Sequence, residues 1–324
     1  MRPLLEVRDL NVWFDLERGG ELHAVQGVSF DLEPGERFGL VGESGCGKTT
    51  TVLALMGLLP PNASVAGSVL LEGEDVLRGG EDSIRPHRWK DVAMVFQGAM
   101  NALNPVKTVG SQIVEPIVFH GLASGASARK MARDLLEMVG IAPSRADRFP
   151  HEFSGGMRQR AAIAMALACN PKVLLADEPT TALDVMVQAQ ILEMLVTLCK
   201  DLRLTLVLVT HDLPAVAQVC ERAAVMYAGE IVEAGPMDDL FHEPKHPYTR
   251  LLFAATPDLH GEARDVASIP GAPPRLDRPL IGCPFFPRCD RAFDPCPTVR
   301  PRLKDVGIDH AAACHLNDLE VAAR

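Results

Sequence analysis

The stretch GESGCGKTT, Gly42 to Thr50, follows the apolar run Phe38-Gly39-Leu40-Val41 and precedes Val52-Leu53-Ala54-Leu55-Met56. A glycine-rich turn between an apolar strand and an apolar helix permits few folds, because the strand must be buried and the helix must pack back on its sheet. The glycines let successive backbone N–H groups face phosphate oxygens, and the helix beginning near Lys48 adds its positive dipole end. Gly42, Glu43, Ser44, Gly45, Cys46, Gly47, Lys48, Thr49 and Thr50 are therefore the candidate triphosphate-binding residues. Lys48 would reach the β- and γ-phosphates, and the Thr49 hydroxyl would ligate Mg²⁺. An ammonium a few ångströms from a phosphate oxygen is worth about 4 kcal/mol at an intermediate effective dielectric, which explains binding and leaves hydrolysis to residues elsewhere.

Those residues are sought at the ends of other apolar strands. Val173-Leu174-Leu175-Ala176 ends in Asp177-Glu178-Pro179. Adjacent side chains on a strand point to opposite faces, so the two acids serve different tasks: Asp177 is assigned to Mg²⁺ and Glu178 to the attacking water as general base. His211 follows Leu206-Val207-Leu208-Val209-Thr210 and is a candidate partner for the γ-phosphate, while Gln97 follows Val92-Ala93-Met94-Val95-Phe96 and could sense both metal and water. A second anion-binding design appears at Phe153-Ser154-Gly155-Gly156-Met157, where a serine N-cap and paired glycines open the helix-forming run from Arg158 to Ala166.

This ordered set, Gly42 to Thr50, Gln97, Ser154-Gly155-Gly156, Asp177-Glu178, Thr181-Ala182-Leu183-Asp184 and His211, resembles the ATP-binding-cassette ATPases over about the first three quarters of the chain. The resemblance implies an α/β fold: a P-loop NTPase (RecA-like) core with a parallel sheet, an antiparallel β edge subdomain and an inserted α-helical subdomain. It also implies a head-to-tail dimer in which Ser154, Gly155, Gly156 and Met157 close over ATP held by the partner, with Asp184 at the seam. Catalytic roles pass to Glu178, His211 and Gln97, and Mg²⁺ ligation to Thr49, Gln97 and Asp177. Phe14 matches the position that stacks on adenine, with Trp13 beside it as the alternative platform. In this family the signature loop usually ends in glutamine, and this chain carries Met157 there, as the peptide-importer branch does.

Organisation follows the same lines. Residues 1 to about 95 read as strands with short turns and the nucleotide helix, and residues about 98–165 as a helix-rich insertion in which Val109–Val118 and Ser127–Met138 show helical apolar spacing. Ala123–Ala128 reads as a loop. Residues about 166–255 return to alternating strands and helices, giving residues 1–255 as the nucleotide-binding domain and 256–324 as a C-terminal extension. The longest apolar stretch, Ala161–Cys169, is too short for a bilayer, and the amino terminus alternates like a strand instead of a signal peptide. A net charge of −10 argues against nucleic acid as the main partner.

The extension is rich in proline, cysteine and arginine, as in Ile269-Pro270-Gly271-Ala272-Pro273-Pro274 and Gly282-Cys283-Pro284-Phe285-Phe286-Pro287-Arg288-Cys289, and is expected to be irregular. Cys283, Cys289, Cys296 and Cys314 suit tetrahedral zinc or an iron–sulfur cluster, and the spacing alone leaves both open, with His310 and His315 as substitute ligands. The words Glu243-Pro244-Lys245-His246-Pro247-Tyr248-Thr249 and the cysteine block resemble the extension of dipeptide and oligopeptide importer ATPases, which implies a [4Fe-4S] cluster on the four cysteines. Cys169, Cys199 and Cys220 read as buried structural thiols. Cys46, on the phosphate loop near a helix N-terminus, is expected to have a depressed pKa and to react with maleimide.

These readings converge on the motor of a membrane importer at the cytoplasmic face, with ATP, Mg²⁺ and a [4Fe-4S] cluster as cofactors. The partners implied are a second ATPase subunit, identical or sister, two transmembrane permease subunits and an extracytoplasmic substrate-binding protein. Gln97 and the segment Gly98–Pro105 would lie near the groove that receives the permeases' coupling helices. The alternatives are a soluble cassette ATPase of repair or translation, and import of nickel or oligosaccharides by the same branch.

Overall fold

The computed structural model describes residues 2–17, 19–98, 102–255 and 269–318. In chain order it contains β1 (Leu5–Asp15), β2 (Glu21–Leu32), β3 (Arg37–Val41), α1 (Lys48–Leu55), β4 (Ala63–Leu71) and β5 (Glu74–Asp75). There follow α2 (Glu81–Ile84), β6 (Val92–Val95), α3 (Val109–Phe119), α4 (Gly125–Met138), α5 (Gly155–Ala166), β7 (Val173–Asp177), α6 (Val185–Leu202) and β8 (Thr205–Thr210). The chain closes with α7 (Leu213–Val219), β9 (Arg222–Tyr227), β10 (Glu230–Pro236), α8 (Met237–His242), α9 (Pro247–Ala254), β11 (Lys304–Gly307) and β12 (His310–Ala312). Contacts divide the described residues into two compact units interleaved along the chain: Met1–Leu32, Phe38–Asp75 and Thr210–Arg324 in the first, Glu33–Arg37 and Val76–Val209 in the second.

In the first unit β2, β1, β4 and β5 form an antiparallel sheet in that order. The alternation read at the amino terminus is present in β1 at Leu5 and Val7 and resumes at Leu10 and Val12 after a register shift between Val7 and Leu10. Strand β3 runs parallel to β9, from Phe38↔Arg222 to Val41↔Val225, and β9 turns back antiparallel into β10. Its residues Phe38 to Val41 are buried on both faces, which is why the sequence there is a continuous apolar run. In the second unit β6, β7 and β8 are parallel, and every residue of all three is buried.

The helical spacing read at Val109–Val118 and Ser127–Met138 corresponds to α3 and α4. Ala123–Ala128 was expected as a loop, but Ser124 takes an extended N-cap conformation and α4 starts at Gly125. The buried stripe Ala128, Ala132 and Leu136 supplies the reason, since small residues at helical spacing let this helix pack closely.

The extension is only partly the irregular segment expected. Residues 269–303 contain one short 3₁₀ turn, Phe286–Arg288, but β11 and β12 form a hairpin and β12 pairs antiparallel with β10. The proline-rich wording ends at Pro301, and Ile308 and Asp309, the latter at φ +53°, then form the turn. A buried polar knot fastens the hairpin: the Glu233 carboxylate accepts the backbone N–H groups of Lys245 (2.6 Å) and His246 (2.9 Å) and pairs with His310 Nε2 at 2.8 Å. The phrase Glu243 to Thr249 thus wraps its backbone onto one buried acid.

His246 also caps α9, its Nδ1 accepting the Tyr248 N–H at 3.0 Å. A protonated Nδ1 cannot accept, and burial pushes the His246 pKa down to about 4. The folded state therefore holds this imidazole neutral while an unfolded one protonates near its ordinary value of 6.5. Stability from this group is complete above that value and falls as pH drops toward 4, by roughly 3 kcal/mol in all. In urea titrations of the wild-type chain and His246→Asn between pH 7 and pH 4.5, the wild type should lose stability more steeply than the variant, and equal slopes would remove His246 as the cause.

Candidate functional site

The phosphate loop belongs to the first unit, between β3 and α1. Gly47 caps α1 with φ +108°, and a Cβ there would lie 2.6 Å from the Ala24 carbonyl oxygen, so only glycine fits. Lys48 is 6% exposed, and its Nζ donates to the carbonyls of Gly42 (2.7 Å) and Glu43 (3.0 Å), which sets the ammonium across the loop. The N–H of Glu43 in turn donates to the Tyr248 hydroxyl at 2.9 Å. His211, exposed between β8 and α7, is in the same unit. Its neighbour Asp212 accepts the Ala215 N–H and caps α7.

Cys46 corrects the expectation of a depressed thiol. It is 5% exposed, and burial raises its pKa despite the opposing Lys48 ammonium. The sequence shows the helix terminus, which favours a thiolate, but desolvation of the sulfur is a tertiary effect and outweighs it. A thiol so enclosed is no ready maleimide target. Cys169, Cys199 and Cys220 are buried as read.

In the second unit β7 delivers two acids in different settings. Asp177 ends the strand 1% exposed, whereas Glu178 is half-buried with φ +46°. The Glu178 Oε2 accepts both Gln97 Nε2 and Thr181 Oγ1, each at 2.9 Å. The structure therefore brings Gln97 and Glu178 together, and adds Thr181, which sequence reasoning had placed in a motif without a task. Two donors on one oxygen fix the orientation of this carboxylate.

Also in this unit, Ser154 caps α5, its hydroxyl accepting the Met157 N–H at 3.3 Å, and Asp184 caps α6 through the Val187 N–H at 2.9 Å. The two helix starts touch: a Cβ on Gly156 would lie 2.6 Å from Val187 Cγ1, so the second glycine of the signature is a close-approach residue. Gly155 and Met157 lie half-buried on the first turn of α5. Beside Asp184, Val185 and Met186 are 73% and 71% exposed, an apolar step at a helix start.

Trp13 stacks on His23 with ring centroids 4.6 Å apart. It lines a cavity of about 310 Å³ with Leu276, Arg278 and Arg300 of the extension. Phe14, on the opposite face of β1, has no such ring partner among the described contacts. A larger cavity of about 530 Å³ in the second unit is lined by Arg88, Trp89, Asn104, Lys107 and Phe119 among others. Ala102 also borders it, whereas Ala99, Met100 and Asn101 of the proposed coupling segment lie outside the described residues.

The extension's four cysteines are free thiols. Burial pushes Cys283 up to about 11 and Cys314 up to about 12, with Cys289 and Cys296 adding smaller upward contributions to both. The Cys283 N–H donates to the Cys296 carbonyl at 2.8 Å. Among the described residues, however, no group of three or more His, Cys, Asp or Glu is arranged to hold a metal ion. The Nε2 atoms of His310 and His315, the alternative ligands, engage Glu233 at 2.8 Å and the Val299 carbonyl at 2.9 Å.

The chain matches the ABC transporter family model over residues 25–181 and that of the oligopeptide/dipeptide transporter C-terminal region over residues 232–296. It is 46% identical over 322 residues to the dipeptide transport ATP-binding protein DppD of Bacillus subtilis, covering 98% of this chain and 96% of the relative. It is 47% identical over 316 residues to a probable peptide ABC transporter ATP-binding protein of Sinorhizobium fredii, covering 96% and 94%. Among solved structures, the dimer of the ATP-binding cassette MJ0796 bound to ADP and phosphate matches with TM-score 0.64 and 29% identity, over 72% of this chain and 98% of that one.

Proposed function

Because this chain belongs to the ATP-binding subunits of dipeptide and oligopeptide ABC transporters, we propose that it is the ATP-hydrolysing motor of a peptide importer. The observation that carries the reading is the Glu178 carboxylate, held by Gln97 and Thr181, in a chain that also possesses the Lys48 loop. Phosphate binding alone needs no positioned base.

In this mechanism the backbone of Gly42 to Thr50 and Lys48 bind the triphosphate, and Phe14 stacks on adenine while Trp13 stays with His23. Thr49, Gln97 and Asp177 offer oxygen donors of the hard kind that Mg²⁺ takes, and the bound ion would neutralise charge on the phosphates. Glu178 accepts the proton of the attacking water, and His211 holds the γ-phosphate. Ser154, Gly155, Gly156 and Met157 act on ATP bound to a second ATPase subunit, with Asp184 at the seam; the exposed Val185 and Met186 support a partner there. The cavity beside Trp89 and Phe119 suits the permeases' coupling helices.

No described helix is long and apolar enough to cross a membrane. We place the chain peripherally at the cytoplasmic face, on two permease subunits fed by a substrate-binding protein. Cys283, Cys289, Cys296 and Cys314 are proposed to hold a [4Fe-4S] cluster as a structural staple, with zinc as the alternative. Cysteine sulfur is the right donor type for either, and iron, sulfide and zinc analysis of anaerobically purified protein decides between them. The function is tested by reconstituting the chain with its permeases and binding protein in proteoliposomes. ATP-dependent accumulation of a labelled dipeptide or oligopeptide is expected, and accumulation of nickel or an oligosaccharide in its place would overturn the peptide assignment.

A further inference from the structure

The second residue of the phosphate loop is held by the chain's far end. The Arg288 guanidinium forks onto the Glu43 carboxylate, Nη1 to Oε2 at 2.7 Å and Nη2 to Oε1 at 2.9 Å, across 245 positions of sequence. The Arg288 side chain is 4% exposed and that of Glu43 26%. The fork is itself fixed: Nε donates to the Pro270 carbonyl at 2.8 Å, Nη1 reaches the Tyr227 hydroxyl at 3.3 Å, and the guanidinium lies 5.7 Å from the Tyr227 ring centre and 5.9 Å from that of Phe285. Phe285, two residues beyond Cys283, completes an aromatic cluster with Tyr227 and Tyr248 at centroid distances of 5.2 and 5.3 Å.

Every polar group of Glu43 is thereby assigned. Its N–H goes to Tyr248, its carbonyl receives Lys48, and its carboxylate goes to Arg288. The carboxylate is a negative charge on a loop whose task is to bind polyphosphate, and a bidentate guanidinium is the arrangement that neutralises and orients it together.

We propose that Arg288 is a positioning residue for the nucleotide loop: by sequestering the Glu43 carboxylate it makes ATP affinity depend on the folded C-terminal extension. The proposal rests on the reading that this loop binds ATP. Without Arg288 the Glu43 carboxylate is free to turn toward the phosphates and repel them. Hydrolysis chemistry, which Arg288 does not touch, is left intact.

The test is equilibrium binding of Mg·ATP to the full-length chain. Arg288→Gln should weaken affinity about tenfold, a change of about 1.4 kcal/mol. Adding Glu43→Gln to that variant should restore affinity to within about threefold, because the repelling charge is then gone; a merely structural arginine would not be rescued this way. In the assembled transporter Arg288→Gln should raise KM for ATP with kcat within about twofold. If Arg288→Gln does not fold, Arg288→Lys, which keeps the charge and loses the fork, carries the test with an intermediate weakening. Wild-type affinity in whichever single variant folds, a double variant as weak as the single, or a fall in kcat at unchanged KM overturns the proposal. A wild-type chain that binds no ATP overturns the nucleotide reading itself.

Discussion

Glu178→Gln should lower the ATPase rate of the assembled transporter by about 10²- to 10⁴-fold while leaving ATP binding in place. The amide oxygen of a glutamine can still accept from Gln97 Nε2 and Thr181 Oγ1, which meet the native carboxylate at 2.9 Å each, so the local hydrogen bonds survive. What is lost is the basic oxygen that receives the water's proton. At room temperature this range corresponds to about 3 to 5 kcal/mol of barrier, more than either hydrogen bond alone would explain. Steady-state turnover gives the rate, and size-exclusion chromatography with Mg·ATP should show the variant accumulating as a closed dimer. Wild-type turnover would move the base elsewhere.

Much of this site is legible in the amino-acid sequence because its motifs are local. A strand, a glycine turn and a helix are contiguous at Gly42 to Thr50; Asp177-Glu178 is found at the end of a buried apolar strand, although Glu178 lies one residue past it with φ +46°, so a change of backbone direction and not alternation separates the two acids. Ser154 announces itself as a cap by residue type and position and does cap α5, while Asp184, read only as a seam residue, also caps the helix that follows it. Burial and long-range contact are different in kind. Cys46 misleads because a helix terminus is visible in sequence while the surroundings of the sulfur are not. His310, four positions before Cys314, bonds through Nε2 to Glu233, 77 positions earlier.

The extension shows the same limit at larger scale. Its prolines announce irregular backbone, and residues 269–303 comply. Nothing in that wording indicates that Arg288 would reach Glu43, or that residues 304–312 would add strands beside β10. The only local sign was the arginine between Phe285-Phe286 and Cys289, a cation among aromatic residues, which could have been read as a buried cation in need of an acid.

A shared nucleotide site makes the signature loop as consequential as the base. Ser154→Asp is the sharpest probe, since aspartate caps a helix about as well as serine and α5 should keep its start, while the new carboxylate would oppose a γ-phosphate presented by the partner. Contributions made in trans to phosphoryl transfer reach roughly 10³ to 10⁵ in rate. With Ser154→Asp, and the matching change in the second ATPase subunit where that is a sister chain, the reconstituted transporter should lose at least about 10³-fold in ATP turnover. The isolated chain should bind Mg·ATP with unchanged affinity, because its own loop is untouched. Turnover at the wild-type rate in that transporter would contradict the claim that each ATP is held by two subunits.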